Sequence, residues 1–251
     1  MQLWEAFALF GGGLVAGGIN AIAGGGSLIT FPLLVAMGLP GVAANVTNAL
    51  SVAPGYASSA VASRPDLVGQ GRRMLAVVPT IVVGALCGSS LLLFTPRYVF
   101  EAVVPFLVLT AALMMAFQKR LKALAGNPKD NTPRKTAIQL QVVFFLCGVY
   151  GGYFNAGMGV LVIAAVSLVL DEPLRRISAL RNVFAAVVGI TTVLLYSIFG
   201  PVNWLAVAVL APATVIGGYV GARVARKLPQ EILRWTIVVF ATGVAIALYL
   251  T

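Results

Sequence analysis

The chain has no histidine, only two cysteines and only seven acidic residues among 251. Cys87 and Cys147 lie in separate apolar stretches, so no metal-ligand spacing and no disulfide framework can be drawn, and both are expected to be packing residues. No Gly-x4-Gly-Lys loop is present, which excludes nucleotide hydrolysis by a P-loop. No nucleophile can be matched with a base and no cofactor motif is found, so neither an enzyme nor a bound cofactor or metal is expected. Glu5 and Glu101 fall near the ends of apolar stretches, and no acid stands deep in one. The buried carboxylate or imidazole relay common in proton pumps is thereby missing. The first basic residue is Arg64, so Ala21-Ile22-Ala23 imitates a signal-peptidase site without the charged region that should precede it. The amino-terminal segment is therefore expected to be retained as structure.

What the chain has in abundance is apolar sequence, at 60% of all residues against 10% charged. Stretches 75–94, 98–117, 178–198, 202–222 and 232–250 each match the roughly 20 residues that cross about 30 Å of hydrocarbon. Only Glu101, Arg181 and Arg234 charge them. The protein reads as an all-α, polytopic integral membrane protein whose solvent is the lipid bilayer. A net charge of +10 would suggest nucleic acid in a soluble protein, but here the basic residues sit between apolar stretches, where they orient a membrane protein, and no nucleic-acid partner is expected.

The sequence also repeats. Pro79, Gly84, Gly88 and Pro96 recur with the same spacing as Pro212, Gly217, Gly221 and Pro229, and nearly the same displacement carries Gly24-x-Gly26 to Gly157-x-Gly159 and Asn48 to Asn182. Duplicated halves are characteristic of transporters. One membrane domain, 1–251, is read as repeat 1 (1–117), a linker (118–136) and repeat 2 (137–251). The linker holds Lys119, Arg120, Lys122, Lys129, Arg134 and Lys135, and by the positive-inside rule it is cytoplasmic. Working outward from it puts every Lys and Arg except Arg97 and Arg181 on the cytoplasmic side and both termini outside. The first half then begins outside and ends inside and the second does the reverse, so the repeats are expected to be inverted.

Each half opens with an uneven pair of segments, 3–22 with 27–38 and 137–154 with 158–170. Twelve or thirteen helical residues reach only about 18 to 20 Å, so the second member of each pair is too short to span. The pairs are read as broken-helix hairpins, each followed by three transmembrane helices. Their breaks are built from small residues, Gly24-Gly25-Gly26-Ser27 and Asn155-Ala156-Gly157-Met158-Gly159. A short helix starting at such a break presents N–H groups without intrahelical partners, and two such starts facing one another would make an anion site. Tight turns between packed helices are the plainer reading. Close helix packing explains Gly84-x3-Gly88 and Gly217-x3-Gly221.

Segment 41–62 carries Asn45, Thr47, Asn48, Ser51, Ser58 and Ser59 and should not face lipid; it either lines a cavity or bonds neighbouring helices. Its counterpart in the second half places Arg181-Asn182 against Thr47-Asn48. Arg181 could snorkel to Glu172 or Asp171 near a helix end. It could instead supply the charge and forked donors that an oxyanion requires. Trp4, Tyr98 and Trp204 at expected outer ends and Trp235 at an inner one suit interfacial aromatics.

The run Gly17-Gly18-Ile19-Asn20-Ala21-Ile22-Ala23-Gly24-Gly25-Gly26-Ser27-Leu28, followed by Pro32 and Ala44-Asn45-Val46-Thr47-Asn48, resembles the sulfite exporter TauE/SafE family, also called the toluene sulfonate uptake permease family. The likeness extends over the second half through Gly151-Gly152, Gly157-Met158-Gly159 and Arg181-Asn182. It implies movement of sulfite, organosulfonates or related sulfur-containing anions across the bacterial cytoplasmic (inner) membrane, usually outward. The expectation is thus a secondary transporter exporting a small sulfur oxyanion by alternating access. The anion would be held by Gly24, Gly25, Gly26, Ser27, Asn155, Gly157, Met158, Gly159, Arg181, Asn182, Thr47 and Asn48. A passive anion channel and an uptake permease for a related anion are the alternatives. The exact anion, the coupling ion and the direction stay open, and a homo-oligomer is compatible with the sequence.

Overall fold

The computed structural model describes residues 3–22, 24–124, 132–224 and 235. Apart from Trp235, the expected last span, 232–250, lies outside the described residues, as does the centre of the linker. Nine α-helices are described: α1 (Leu3–Ile22), α2 (Ser27–Ala36), α3 (Gly41–Ala62), α4 (Gly71–Phe94), α5 (Arg97–Leu124), α6 (Pro133–Tyr153), α7 (Met158–Val169), α8 (Leu174–Phe199) and α9 (Trp204–Val224), with a 3-10 turn at Arg64–Leu67. Among the described residues every regular element is helical. Five of them, α1, α4, α6, α8 and α9, are long and apolar enough to cross a membrane, whereas α2 and α7 are short apolar helices.

The linker is shorter than its composition suggested. α5 continues to Leu124 because its Gln, Lys, Arg, Leu and Ala residues are good helix formers. α6 already begins at Pro133, where Thr132 caps it by accepting from the Lys135 N–H at 3.4 Å.

Helices meet through small residues. α1 lies along α9, and α6 lies along α4. A Cβ on Gly17 would sit 2.5 Å from the Thr214 carbonyl oxygen, and one on Gly84 would sit 2.5 Å from that of Phe145. The two interfaces share one pattern. Gly17 opposes Thr214 O and Gly218 N, as Gly148 opposes Ile81 O and Ala85 N; Gly217 opposes Leu14 O and Gly18 N, as Gly84 opposes Phe145 O and Val149 N. This packing matches α1 to α6 in a register that pairs the helix-preceding Gly26 with Gly157, two residues away from the Gly26–Gly159 pairing suggested by the glycine spacing.

α3 and α8 occupy the centre, in contact with each other, α3 also with α9 and α8 with α4. α3 is buried along most of its length, including Asn45, Thr47, Asn48, Ser51 and Ser59. Large apolar side chains such as Leu86, Leu91, Ile190, Leu194 and Ile198 form the exposed belt that a bilayer would cover. The ends of the bundle differ in charge. At one, Thr47 meets Asn203, and Glu5, Leu39, Asn203 and Leu205 line one cleft. At the other, Arg73 and Arg176 pair with Glu172 at 3.3 and 2.8 Å, and Arg175 pairs with Asp66 at 2.5 Å.

Candidate functional site at the two helix breaks

Glycine shapes both breaks. Gly24 and Gly157 have φ of +80° and +77°, a region in which a side chain is strained, and these two turns reverse the chain into α2 and α7. The turns then touch. A Cβ on Gly24 would lie 2.5 Å from the Gly159 Cα, and a Cβ on Gly159 would lie equally close to the Gly24 Cα. Gly24, Gly25, Gly26, Ser27, Asn155, Gly157, Met158 and Gly159 are thereby gathered in one buried cluster at the starts of α2 and α7.

Side chains from other helices complete the cluster. Asn20, in the last turn of α1, accepts through Oδ1 from the N–H groups of Gly26 at 2.8 Å and Ser27 at 3.3 Å, so it caps α2 across the break. Ser27 Oγ donates to Asn155 Oδ1 at 3.2 Å, and the Tyr56 hydroxyl donates to the same oxygen at 3.0 Å. One turn along α2, Thr30 donates to Asn48 Oδ1 at 2.5 Å. Asn45 donates to the carbonyl of Tyr153, the last residue of α6, at 2.9 Å.

Arg181 on α8 is fully buried. Its two terminal nitrogens donate to the carbonyls of Asn20 and Ala21, the latter at 3.1 Å. A cation is thus set at the negative end of α1, on carbonyls that have no partner within that helix. The Arg181 head group turns into the protein, and Glu172, one of the two acids to which it could have snorkelled, is engaged by Arg73 and Arg176.

Thr47 and Asn182 are not joined to the breaks by hydrogen bonds. Thr47 Oγ1 accepts from the Asn203 N–H at 3.0 Å near one end of the bundle, and Asn182 donates to Ser63 Oγ at 2.8 Å near the other. The cause is helical rotation of about 100° per residue, which turns Thr47 away from Asn48 and Asn182 away from Arg181. Asn20, Thr30 and Tyr56 belong to the cluster without having been expected as site residues, and Asn45, expected to line a cavity or bond a neighbouring helix, bonds α6. Asn20 had a signal, being the only polar side chain in the second half of an otherwise apolar helix. Tyr56 lies about three turns beyond Asn45 on the same stripe of α3. Thr30 carried no such mark.

Several buried polar atoms have no partner, among them the donors Asn48 Nδ2, Asn155 Nδ2 and Arg181 Nε and the acceptors Asn45 Oδ1 and Asn182 Oδ1. A buried donor without a partner costs about 1–3 kcal/mol, and these three belong to residues bonded to one another's neighbours around the pair of breaks. Among the described residues no group of three His, Cys, Asp or Glu could hold a metal ion. The donors of the cluster left without a partner are two amides and one guanidinium nitrogen, groups that bond acceptor oxygens.

Known proteins of similar sequence are membrane transporters by name. A "Probable membrane transporter protein" of Haemophilus influenzae is 27% identical over 235 residues, covering 93% of this chain and 90% of its own length. The "Probable membrane transporter protein YfcA" of Escherichia coli K12 is 27% identical over 233 residues, covering 92% of this chain and 84% of its own length. The "Probable membrane transporter protein ORF9" of a Sinorhizobium species is 27% identical over 242 residues, covering 96% of this chain and 90% of its own length. No solved structure matches the chain. The family model described as "Sulfite exporter TauE/SafE" matches residues 9–248, and the chain belongs to that family of membrane transporters.

Proposed function

We propose that the protein is a secondary transporter that exports sulfite or a small organosulfonate across the bacterial cytoplasmic membrane. The observation that carries this reading is the set of unpartnered, buried donors around two touching helix starts, Asn48 Nδ2, Asn155 Nδ2 and Arg181 Nε. An anion bound there would accept from these groups, while the hydroxyls of Ser27 and Tyr56, which both donate to Asn155 Oδ1, hold that amide with its Nδ2 free. Helix starts and a guanidinium favour negative charge, which a cation or neutral solute could not exploit. Asn45, in the cluster, retains an unpartnered oxygen, which suits a substrate that carries a proton, such as bisulfite.

Alternating access follows from the duplication. The matching α1–α9 and α4–α6 interfaces support two equivalent halves, and the charge sorting supports their inversion, with the basic end cytoplasmic and both termini outside. Each interface joins an opening helix of one half to a later helix of the other. A rocking motion that moved these pairs as units would keep the glycine contacts within each pair while those between them, Gly24 with Gly159 and Gly189 with Ala53, changed. The anion would then be exposed at each face in turn.

The test is initial flux of labelled sulfite from proteoliposomes, with a short alkylsulfonate and chloride as competitors. Saturable flux that the sulfonate inhibits and chloride does not is expected. Flux that rises linearly with concentration would replace the carrier by a channel, and purified protein that moves no sulfur anion would overturn the reading.

A further inference from the structure

One residue at the breaks stands where an anion held by the α2 helix start would have to be. If the amino terminus of α2 is to hold an anion, its free N–H groups should be available, yet those of Gly26 and Ser27 both donate to Asn20 Oδ1. Asn20 is itself fixed from the other side, its main-chain carbonyl receiving Arg181. The Asn20 carboxamide oxygen therefore lies between an α-helix start and the residue that a buried guanidinium holds. That is where an oxygen of a bound oxyanion would be expected. The second half offers a different arrangement: Gly157 precedes α7 with no side-chain cap, and the neighbouring Asn155 keeps an unpartnered, buried Nδ2 while its Oδ1 takes the Ser27 and Tyr56 hydroxyls.

We propose that Asn20 is a built-in stand-in for the substrate: its side-chain oxygen occupies the α2 helix start in the empty carrier and withdraws when a substrate oxygen takes the same two N–H groups. The proposal rests on the anion-carrier reading above and adds a positioning residue to it. Its physical content is competition. Two buried N–H groups left bare would be costly in the empty protein, so a neutral amide oxygen covers them at the cost of weakening the apparent affinity by the fraction of molecules in which it is engaged. A neutral oxygen can be displaced by an anion, because hydrogen bonds to charged acceptors are about twice as strong. A carboxylate at the same position would not yield.

The experiment uses the full-length protein purified in detergent, with sulfite as the probe. Binding is measured by calorimetry and the thermal midpoint is read with and without sulfite. Asn20→Ala is expected to tighten sulfite binding about fivefold to tenfold, the worth of a typical side-chain cap. It should also lower the midpoint of the empty protein and enlarge the rise that sulfite produces. Asn20→Asp is expected to keep or raise the midpoint of the empty protein and to weaken sulfite binding more than tenfold, since it covers the helix start with a permanent negative charge. If wild-type protein binds sulfite and Asn20→Ala binds it more weakly, or Asn20→Asp binds it as wild type does, Asn20 is a structural cap and the proposal fails while the carrier reading stands. If neither wild type nor either variant binds sulfite or a short alkylsulfonate, the carrier reading fails and the stand-in role with it. Should Asn20→Ala not fold, Asn20→Ser, whose shorter side chain withdraws the carboxamide oxygen from the same two N–H groups, takes its place with the same tightening expected and the same weaker binding overturning the proposal.

Discussion

At the scale of the single residue, the guanidinium of Arg181 does two jobs with different consequences on removal. Its terminal nitrogens hold the carbonyls of Asn20 and Ala21, and its Nε has no partner. Arg181→Ala should abolish sulfite flux and also lower thermal stability, since it takes the guanidinium donor from the buried Ala21 carbonyl and leaves that of Asn20 with only the Gly24 N–H. Arg181→Lys should recover part of both, because it keeps the charge and loses the planar fork. Arg97→Ala should leave flux near wild type, since Arg97 is an exposed residue paired at 2.7 Å with Glu101 one helical turn away. Flux assays at matched amounts of folded protein separate these outcomes. The acids give a second prediction. Glu5 and Glu101 lie toward the first turns of α1 and α5, so Glu5→Gln and Glu101→Gln should retain flux with an unchanged pH profile, any proton being carried by the substrate. Initial rates across a pH series check this, and a limb lost in either variant would assign coupling to that carboxylate.

At the scale of the element, neighbouring glycines that look alike in sequence should respond differently. A Cβ on Gly11 would meet nothing within 4 Å, one on Gly18 would reach only the Gly217 carbonyl at 3.7 Å and the Gly221 Cα at 4.0 Å, and one on Gly17 would strike the Thr214 carbonyl at 2.5 Å. Gly11→Ala and Gly18→Ala should be neutral or stabilising by up to about 1 kcal/mol from helix propensity. Gly17→Ala should destabilise by about 1–3 kcal/mol, because backbone cannot yield as a side chain can. Thermal unfolding in detergent distinguishes the three. Gly88 belongs with Gly17: its Cβ would enter the Val149 carbonyl, so Gly88→Leu should damage folding as badly as Gly26→Leu, whose Cβ would enter that of Ala16. A comparison of those two glycines thus measures packing and does not isolate the site.

At the scale of the whole molecule, the two halves are tied together at the basic end. Arg73 on α4 meets Glu172 before α8, Arg175 meets Asp66, Arg176 donates to the Val68 carbonyl at 2.9 Å, and Asn182 donates to Ser63. Glu172→Gln removes the carboxylate shared by Arg73 and Arg176 and should loosen this closure. The expected result is faster labelling of a cysteine placed at the buried position Ser63, measured in a Cys87→Ser, Cys147→Ala background. Unchanged labelling would show that the pairs are surface decoration, as many ion pairs are. Orientation is checked by reporter fusions after Gly126 and at Thr251, expected to report cytoplasm and exterior respectively. A cytoplasmic carboxyl terminus would sink the inverted arrangement.

The all-helical character and the order of the described helices could be read without coordinates, because apolar runs, glycine breaks and basic turns are local properties of a chain in lipid, whereas α5 and α6 extend well into the expected linker. α1 and α3 start and stop where composition changes, and α2 and α7 begin at the residues marked by the breaks. Gly24, Gly157 and Arg181 stood out for the same reason: a glycine run or a lone charge inside an apolar stretch is costly unless something uses it. What the chain alone could not decide is which side chain meets which across helices. Thr47 and Asn48 are adjacent in sequence yet serve different neighbours, and Asn20 reaches over the break to cap α2 while Arg181 comes from the other half to hold Asn20. Those pairings depend on helix rotation and on how closely glycines let backbones approach. Both are set only when α1 lies on α9, α6 lies on α4 and the two breaks touch, which is a property of the assembled bundle and of no segment within it.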